Sequence, residues 1–319
     1  FLILIFYYIM CILKVLQIER RFFMDIYYID RKTGEKKKEI VAGLKFLSWL
    51  YDNRVGKSTL KVLVRKKLFS SLYGKFQDFS FSKKKISKFI SDLEIDMTEA
   101  KIEDLSVYKN FNEFFFRELK PNARPINCDD NILTSPADGK ILAYENIDID
   151  KIIQVKGMYY SLKDLISDSS IAYEYAKGTC IVVRLAPSDY HRFHFPTSGT
   201  ISQTNRIDGL YNSVNPIALK SIANLYCQNK REYSMLKSDN FDDILMLEVG
   251  ATCVGSIIQT YTPNSHVNKG DEKGYFKFGG STVILFLKQG MLKIDEDIIK
   301  NTNEGFETKV NMGEKIGKK

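Results

Sequence analysis

A double glycine leads into a strongly apolar run at residues 278–287, Phe278-Gly279-Gly280-Ser281-Thr282-Val283-Ile284-Leu285-Phe286-Leu287. A continuous apolar run of this length after glycine is typical of a strand that is buried on both faces. Similar short runs, separated by Gly, Pro, Asn and Asp, recur through the second half of the chain. They cover residues 140–144, 179–185, 244–249 and 253–261. The sequence therefore predicts a mostly antiparallel β domain, built as a sandwich or a barrel-like sheet.

The region before this domain is predicted to be helical. Two amphipathic helices are indicated by apolar residues at helical spacing with lysines on the opposite face. Their apolar residues are Leu60, Leu63, Val64 and Leu68 in the first, and Ile86, Phe89, Ile90 and Leu93 in the second. A third helix is predicted after Asn110, a capping residue type, with Glu113 in its first turn and Pro121 to end it. The predicted fold class is α+β.

The composition restricts the class of protein. Hydrophobic residues make up 44% of the 319 residues and charged residues 27%, which excludes a wholly disordered chain and a polytopic membrane protein. Lys and Arg outnumber Asp and Glu by 47 to 39, so an anionic partner such as acidic lipid or nucleic acid fits the charge. Nucleic acid is the weaker option, because aromatic residues lie in apolar stripes rather than among the basic runs. The five cysteines include no C-x-x-C pair, which argues against a disulfide framework and a cysteine zinc site.

The N-terminal region is predicted to contact a membrane. Residues 1–13 are apolar or aromatic until Lys14 interrupts them, which indicates a membrane anchor or its remnant, with a buried helix or a signal core as alternatives. Basic clusters follow at 31–38, 65–67 and 83–85, and anionic headgroups attract such clusters. The amphipathic helices can either lie on a membrane or pack on the protein's own core.

These patterns divide the chain into three parts. Residues 1–55 form an anchor or leader-like region, residues 56–125 a helical membrane-proximal region, and residues 126–319 a β-rich domain. The polar tail at 301–319 is predicted to be loose.

Two of the three histidines, His191 and His194, share the segment 186–196 and are flanked by Asp189, Tyr190 and Arg192. A pair in such surroundings indicates a reactive site rather than two structural core residues. Metal binding with Asp189 as a third ligand is the alternative. No further His, and no Cys at ligand spacing, completes a coordination shell in the sequence, so no metal is predicted.

Two further residues have types that could act with a histidine. Asp138 stands before a predicted strand in a turn whose Asp-Gly pair by itself indicates only a hairpin. Gly280 has no Cβ, so the hydroxyl of Ser281 can reach the preceding carbonyl carbon from a backbone geometry that other residues resist. A serine activated by a base, itself oriented by a carboxylate, can attack its own peptide bond.

The motifs taken in order resemble the phosphatidylserine decarboxylases, a family of pyruvoyl-dependent enzymes made as self-cleaving proenzymes. The resemblance runs from about residue 110 to residue 289 and depends on the order and spacing of seven segments. These are FNEFFFREL at 111–119, SPADGK at 135–140, QVKG at 154–157, YHRFHFP at 190–196, YNSVNP at 211–216, GATCVGS at 250–256 and KGYFKFGGST at 273–282.

The resemblance implies a cut between Gly280 and Ser281, which gives a β chain of residues 1–280 and an α chain of residues 281–319. It makes Ser281 the nucleophile, His194 its base and Asp138 the carboxylate that orients His194. Ser281 then becomes a pyruvoyl group, the covalent cofactor, at the start of the α chain. The β-rich region 126–319 is the catalytic domain in this interpretation.

The resemblance also implies the reaction. The pyruvoyl ketone forms a Schiff base with the amine of phosphatidylserine and accepts the electrons left by carbon dioxide, and His191 supplies the proton that completes phosphatidylethanolamine. In a regular strand His191 and His194 would face opposite sides, so both can approach Ser281 only if their segment is irregular.

The expected partners are phosphatidylserine in an anionic membrane and the α and β chains of one proenzyme, with a homodimer allowed and no nucleic acid. The expected location is a membrane, the endoplasmic reticulum or the mitochondrial inner membrane if the source is eukaryotic. Two other functions fit the residues less fully. One is a serine hydrolase that uses Asp138, His194 and Ser281 on external esters, and the other is a non-enzymatic basic membrane-binding protein.

Overall fold

The structure is a computed structural model that describes residues 25–59, 74–155, 157–251 and 256–319. The predicted anchor at 1–13, the predicted helix of residues 60–68 and Cys253 lie outside these ranges.

The helices are α1 (Leu44–Asp52), α2 (Arg54–Thr59), α3 (Ile86–Leu93), α4 (Phe111–Phe115), α5 (Leu162–Ile166), α6 (Ser169–Tyr173), α7 (Pro216–Leu219), α8 (Leu225–Gln228) and α9 (Glu296–Asn303), and a 3-10 helix spans Ser80–Lys85. The strands of the first half are β1 (Tyr27–Asp30), β2 (Lys36–Lys38), β3 (Ile132–Thr134), β4 (Gly139–Tyr144), β5 (Ile152–Val155) and β6 (Met158–Tyr160). The next are β7 (Thr179–Leu185), β8 (Arg192–His194), β9 (Gly199–Ile201), β10 (Asn205–Ile207), β11 (Arg231–Ser238) and β12 (Asp242–Val249). The last are β13 (Ile257–Gln259), β14 (His266–Val267), β15 (Glu272–Phe276), β16 (Ser281–Leu287), β17 (Lys293–Ile294), β18 (Glu307–Val310) and β19 (Lys315–Lys318).

Most strands belong to one open sheet of 11 strands in the order β14-β9-β11-β12-β16-β7-β4-β18-β1-β2, with β10 added to β11. The neighbouring strands at its centre, β12, β16, β7 and β4, are antiparallel, and β1 lies parallel to β18. The mixed α+β class and the mostly antiparallel sheet are confirmed. The barrel-like closure is wrong, because β14 and β2 end the sheet at opposite edges and other layers cover its two faces.

Strand β16, which forms most of the apolar run at 278–287, is buried along its whole length. Side chains alternate between the faces of a strand. Val283 and Leu285 therefore pack in one core, and Ile284 and Phe286 pack in the other. The first core also contains residues of the two small sheets β13-β15-β8 and β17-β19-β3, so two β layers face each other there. Helices, including α5, α7 and α8, cover the second face.

The described N-terminal part packs on the protein itself. The apolar face of α3 packs with Tyr108, Phe111, Phe114 and Phe115 in a third core. Helix α4 is capped by Asn110, whose side chain accepts the N–H of Glu113, as predicted. It ends at Phe115, before Pro121, because residues 118 and 120 form backbone hydrogen bonds with residues 101 and 99. Among the helices that the structure describes, none is long and apolar enough to cross a bilayer.

Both ends of the described chain add to the β layers. β1, from the predicted anchor or leader-like region, pairs with β18, and β18 pairs with β4. The three-part division of the chain remains a prediction. The loose tail at 301–319 is wrong, because β18 and β19 lie there and bury Val310 and Ile316.

Candidate active site

Three neighbouring strands bring the predicted site residues to one end of the large sheet. Ser281 begins β16 and pairs with Leu185, the last residue of β7. Asp138 directly precedes β4, whose Lys140 pairs with Arg184 of β7. The turn that leaves β7 then leads to His191 and to the short strand β8. The topology therefore brings residues from three distant segments to the end of the sheet where Ser281 begins β16.

Ser281 is fully buried, and its Oγ has no hydrogen-bond partner. The preceding Gly279 has φ 136°, a conformation that favours glycine. At Gly280, by contrast, a Cβ would meet Val214 Cγ2 at 3.4 Å, an ordinary contact. The predicted conformational need for glycine at 280 is therefore wrong, and that need falls on Gly279.

His191 is fully buried with the ring of Phe115 against it, 4.0 Å away between ring centroids. Its Nδ1 lies 2.8 Å from the carbonyl oxygen of Asp189, and its buried Nε2 has no partner that meets hydrogen-bond geometry. Burial lowers the pKa of His191 to about 4, against a smaller upward effect of the Asp189 and Gly279 backbones. A neutral imidazole whose Nδ1 donates to a carbonyl has a free lone pair on Nε2. His191 thus presents a free lone pair on Nε2 beside the loop that carries the predicted cleavage site.

Asp189 fixes the turn that carries His191. Its carboxylate accepts hydrogen bonds from Lys140 (3.0 Å), from Lys309 (2.5 Å) and from the N–H of Ala186 (2.7 Å). Burial raises the pKa of this carboxyl, but the two lysines act more strongly and hold it well below its usual range. The carboxylate of Asp189, the third ligand in the alternative of a metal site, is therefore occupied by two lysines.

His194 has different surroundings. Its Nδ1 lies 3.0 Å from the carbonyl oxygen of Gly270, and its Nε2 lies 3.3 Å from the hydroxyl of Tyr190. Burial lowers the pKa of His194, whereas the negative charges of Glu272 and Asp138 act to raise it. Because Nδ1 faces a carbonyl, Nε2 of the neutral ring accepts the Tyr190 hydrogen bond.

Asp138 is held by groups that the sequence interpretation did not include. Arg124 donates to both of its oxygens, at 2.9 Å from Nε and 2.7 Å from the Nη2 atom, and the N–H of Met312 donates at 2.8 Å. Within the described residues no hydrogen bond joins Asp138 to His194, or His194 to Ser281. The structure therefore brings the three residues to one region without linking them as a triad.

The segment that carries both histidines is irregular, as their joint approach to one site requires. His191 precedes β8 and His194 ends it, and the facing strand β15 has a register shift between Glu272 and Gly274. Sequence reasoning missed Arg124 and gave Tyr190 no role. Tyr190 stands inside the histidine segment, where a hydroxyl next to two histidines was a usable signal. Nothing in the sequence singles out Arg124.

Comparison with known proteins shows the family of the chain. The family model described as phosphatidylserine decarboxylase matches residues 111–318, about two-thirds of the chain. Proteins named phosphatidylserine decarboxylase proenzyme are similar over nearly their whole length. The protein from Clostridium beijerinckii (strain ATCC 51743 / NCIMB 8052) is 57% identical over 290 residues, which cover 91% of this chain and 98% of that protein.

Two other relatives show the same extent of similarity. The protein from Clostridium perfringens (strain SM101 / Type A) is 56% identical over 290 residues, with 91% of this chain and 98% of the relative covered. The protein from Clostridium botulinum (strain Langeland / NCTC 10281 / Type F) is 54% identical over 294 residues, with 92% and 99% covered. The chain therefore belongs to the phosphatidylserine decarboxylase family.

Proposed function

We propose that this chain is a self-cleaving enzyme that decarboxylates phosphatidylserine to phosphatidylethanolamine and carbon dioxide. The observation that carries the proposal is the hydroxyl of Ser281, which is buried without a partner at the first position of β16. A buried hydroxyl without a hydrogen bond costs free energy, so its retention suggests a chemical use. Family membership supplies the reaction and the substrate class.

The first reaction is the cut in the chain's own backbone. Oγ of Ser281 attacks the carbonyl carbon of Gly280 and gives its proton to Nε2 of His194. The peptide C–N bond breaks, the freed nitrogen takes a proton, and an ester joins Gly280 to the serine side chain. Loss of the Ser281 Hα then eliminates the Gly280 carboxylate. The remaining dehydroalanine takes up water and releases ammonia, which leaves a pyruvoyl group.

The proposed base and its carboxylate must each exchange a partner before they can act. Gly270 holds the ring of His194 through Nδ1, whereas Tyr190 occupies Nε2 and must release it before that atom takes the Ser281 proton. Burial lowers the pKa of His194, and the charge of Asp138 opposes this shift, so Asp138 favours the protonated ring that forms when Ser281 is deprotonated. Direct contact between Asp138 and His194 would require Asp138 to exchange a partner.

The residues around position 281 fit a pyruvoyl group. The side chain of Ser281 is enclosed, and its oxygen has no competing hydrogen bond. The pyruvoyl carbonyl supplies an electrophile that bonds an amine and takes up the electron pair left by carbon dioxide. The ring of His191 packs on Phe115, and its free Nε2 would take up a proton and deliver it to the product carbon.

The cut leaves the two chains held together. The proposed α chain contains β16, which lies between β12 and β7 in the middle of the large sheet. It also contains β18, which lies between β4 and β1. With the pairing of β19 and β3, separation would break five strand pairings and expose the buried side chains of β16, so the α and β chains stay associated.

The substrate's acyl chains require the enzyme to act at a membrane surface. Phe76, Phe79 and Phe81 form an exposed aromatic cluster with ring centroids 5.8–6.3 Å apart. The basic residues 83–85 follow directly, and anionic headgroups attract such residues. We include this surface in the membrane contact. The relatives compared are all clostridial, so they give no support to the eukaryotic compartments.

Intact mass and product release test the proposal together. The purified protein should give two denatured masses, for residues 1–280 and for a pyruvoyl-blocked 281–319. It should also release labelled carbon dioxide from phosphatidylserine carrying carbon-14 in its carboxyl group. Ser281→Ala should give one uncut, inactive chain, whereas Ser91→Ala, at an exposed serine on α3, should behave as the unmodified protein.

An uncut chain that decarboxylates the lipid would contradict self-cleavage. A cut chain without decarboxylation would contradict the substrate. An uncut chain that hydrolyses external esters would identify the serine hydrolase, which family membership does not favour. Lipid binding without chemistry would identify the non-enzymatic protein.

A further inference from the structure

Arg117 is a buried arginine without a hydrogen-bond partner. Arg117 is 6% exposed, and its buried Nε donates no hydrogen bond. Every other arginine whose side chain the structure describes donates a hydrogen bond to a carboxylate or a carbonyl or, in the case of Arg206, forms an ion pair with a carboxylate. These arginines are Arg31, Arg124, Arg184, Arg192, Arg206 and Arg231.

The guanidinium of Arg117 lies next to the candidate site. Its Cζ is 5.1 Å from the ring centroid of Phe114, on the helix whose Phe115 packs on His191. The positive charge of Arg117 is one of the effects that lower the pKa of His191. Asp138 is near enough to act on the pKa of Arg117, but Arg124 holds the oxygens of Asp138. Acidic charge thus balances Arg117 only from a distance, and its donors remain free.

A buried cation with free donors is costly unless a ligand uses it. A guanidinium presents paired N–H groups that match a phosphate or a carboxylate. We propose that Arg117 binds the phosphodiester of the lipid headgroup in the mature enzyme. The inference rests on the proposed function and adds a residue that determines substrate specificity.

The substrate has two anions, and the chemistry selects between them. The carboxylate loses its charge as carbon dioxide, so a strong ion pair to it would stabilise the ground state more than the transition state. The phosphodiester keeps its charge from substrate to product. Only an interaction with the phosphodiester holds the headgroup throughout the reaction without opposing decarboxylation.

Cleavage gives the anion a route to Arg117. In the uncut chain Phe278 packs on Phe111 and Phe115, at 5.0 and 5.1 Å between ring centroids, and the backbone leads straight into β16. The cut frees the end at Gly280 from β16. Residues 278–280 can then move away from the Phe115 side of the site, which opens the space next to Arg117.

Two soluble substrates isolate the phosphodiester. Glycerophosphoserine carries it, and O-methylserine keeps the amine and the carboxylate without it. The mature unmodified enzyme should decarboxylate glycerophosphoserine with a kcat/KM about 10- to 100-fold higher, the range for hydrogen bonds to a charged group. Arg117→Gln should remove most of this preference, so that the ratio of kcat/KM for glycerophosphoserine to kcat/KM for O-methylserine falls towards one. Arg117→Lys should retain part of it, because lysine keeps the charge without the planar fork.

Arg206→Gln is the matched control, because the Arg206 side chain is 72% exposed and lies on β10. It should keep the full preference. Equal loss of both substrates in Arg117→Gln would overturn the inference, since Arg117 would then act on the chemistry or the fold. If that variant does not fold, a ratio near one in the unmodified enzyme overturns the inference by itself. An unmodified enzyme that decarboxylates nothing would instead contradict the proposed function.

Discussion

The ring of Phe115 packs on the imidazole of His191, with 4.0 Å between the ring centroids. This contact joins two segments that lie 76 residues apart in the sequence. The same short helix holds the cleavage loop, because Asn112 Oδ1 accepts the N–H of Phe278 at 2.9 Å. Helix α4 therefore positions both a candidate catalytic histidine and the segment of the proposed cut.

Replacing Asn112 should slow self-cleavage. Asn112→Ala removes the acceptor for Phe278 N–H and the donor to Asp78 Oδ1 at 2.8 Å, so the loop before Ser281 loses its fixed position. We expect processing to slow about tenfold, as misplacement of reacting groups by about 1 Å can cost that much or more. A time course on denaturing gels measures the rate. Asn131→Ala, at an exposed asparagine before β3, is the control, and equal rates in the two variants would show that Asn112 does not position the loop.

Acid should destabilise the uncut protein through His191. Its pKa is about 4 in the folded chain and about 6.5 when unfolded, so below pH 6.5 the unfolded chain binds a proton that the folded chain refuses. Stability from this residue is full above pH 6.5 and falls as the pH drops towards 4. The loss between about pH 7.5 and about pH 5 is roughly 2 kcal/mol.

Urea unfolding of Ser281→Ala at both pH values gives the total loss. His191→Gln in the same background should lose about 2 kcal/mol less, because glutamine does not titrate. His266→Gln, at an exposed histidine on β14, is the matched control. The same pH-dependent loss with and without His191 would rule out its burial as a neutral ring.

The predictability of the fold varies with the kind of interaction. The prediction for 179–185 coincides with β7, because a continuous apolar run between turn residues specifies a strand by itself. The tail gave no such signal, since β18 and β19 have few apolar residues and exist through pairing with β4 and β3. Barrel closure depends on what covers each face of the sheet, which a local pattern does not contain.

The site shows the same division. Residue types and their order identified Ser281, His191, His194 and Asp138 as candidates, and the fold brings them to one end of the sheet. Arg124 was not predictable as the partner of Asp138, because it contacts that carboxylate only on folding, whereas Tyr190 beside the two histidines was a usable signal. The free donors of Arg117 are likewise not predictable, because they depend on which partners the neighbouring charges take in the folded chain.

The two histidines should separate cleavage from decarboxylation. His194→Ala should leave the chain uncut, because Ser281 loses its proposed base. Tyr190→Phe should slow cleavage less, since the ring of His194 loses one of its two hydrogen bonds. His191→Ala should be cut and yet release carbon dioxide at least about a hundredfold more slowly, the lower range for loss of a general acid. Intact mass and labelled carbon dioxide measure the two steps, and normal cutting in His194→Ala would transfer the role of base to another residue.

The buried ion pair of Lys273 and Glu248 should contribute to the free energy of unfolding only when both of its charges are present. Lys273 Nζ lies 2.9 Å from both oxygens of Glu248, and both side chains are fully buried. Burial lowers the pKa of Lys273 and raises that of Glu248, and the partner opposes each shift. Glu248 lies opposite Val283 in the ladder between β12 and β16. The ion pair therefore packs against β16 just past the proposed cleavage site.

Glu248→Leu or Lys273→Met alone leaves one buried charge unpaired and should lower the free energy of unfolding by about 3–5 kcal/mol. The double variant Glu248→Leu, Lys273→Met removes both charges and should cost far less than the sum of the two single changes. Urea unfolding of the four chains in the uncut Ser281→Ala background measures this cycle. Additive losses would mean that the two side chains are stabilised independently, by Gln259 or by the aromatic rings of Phe193 and Tyr261.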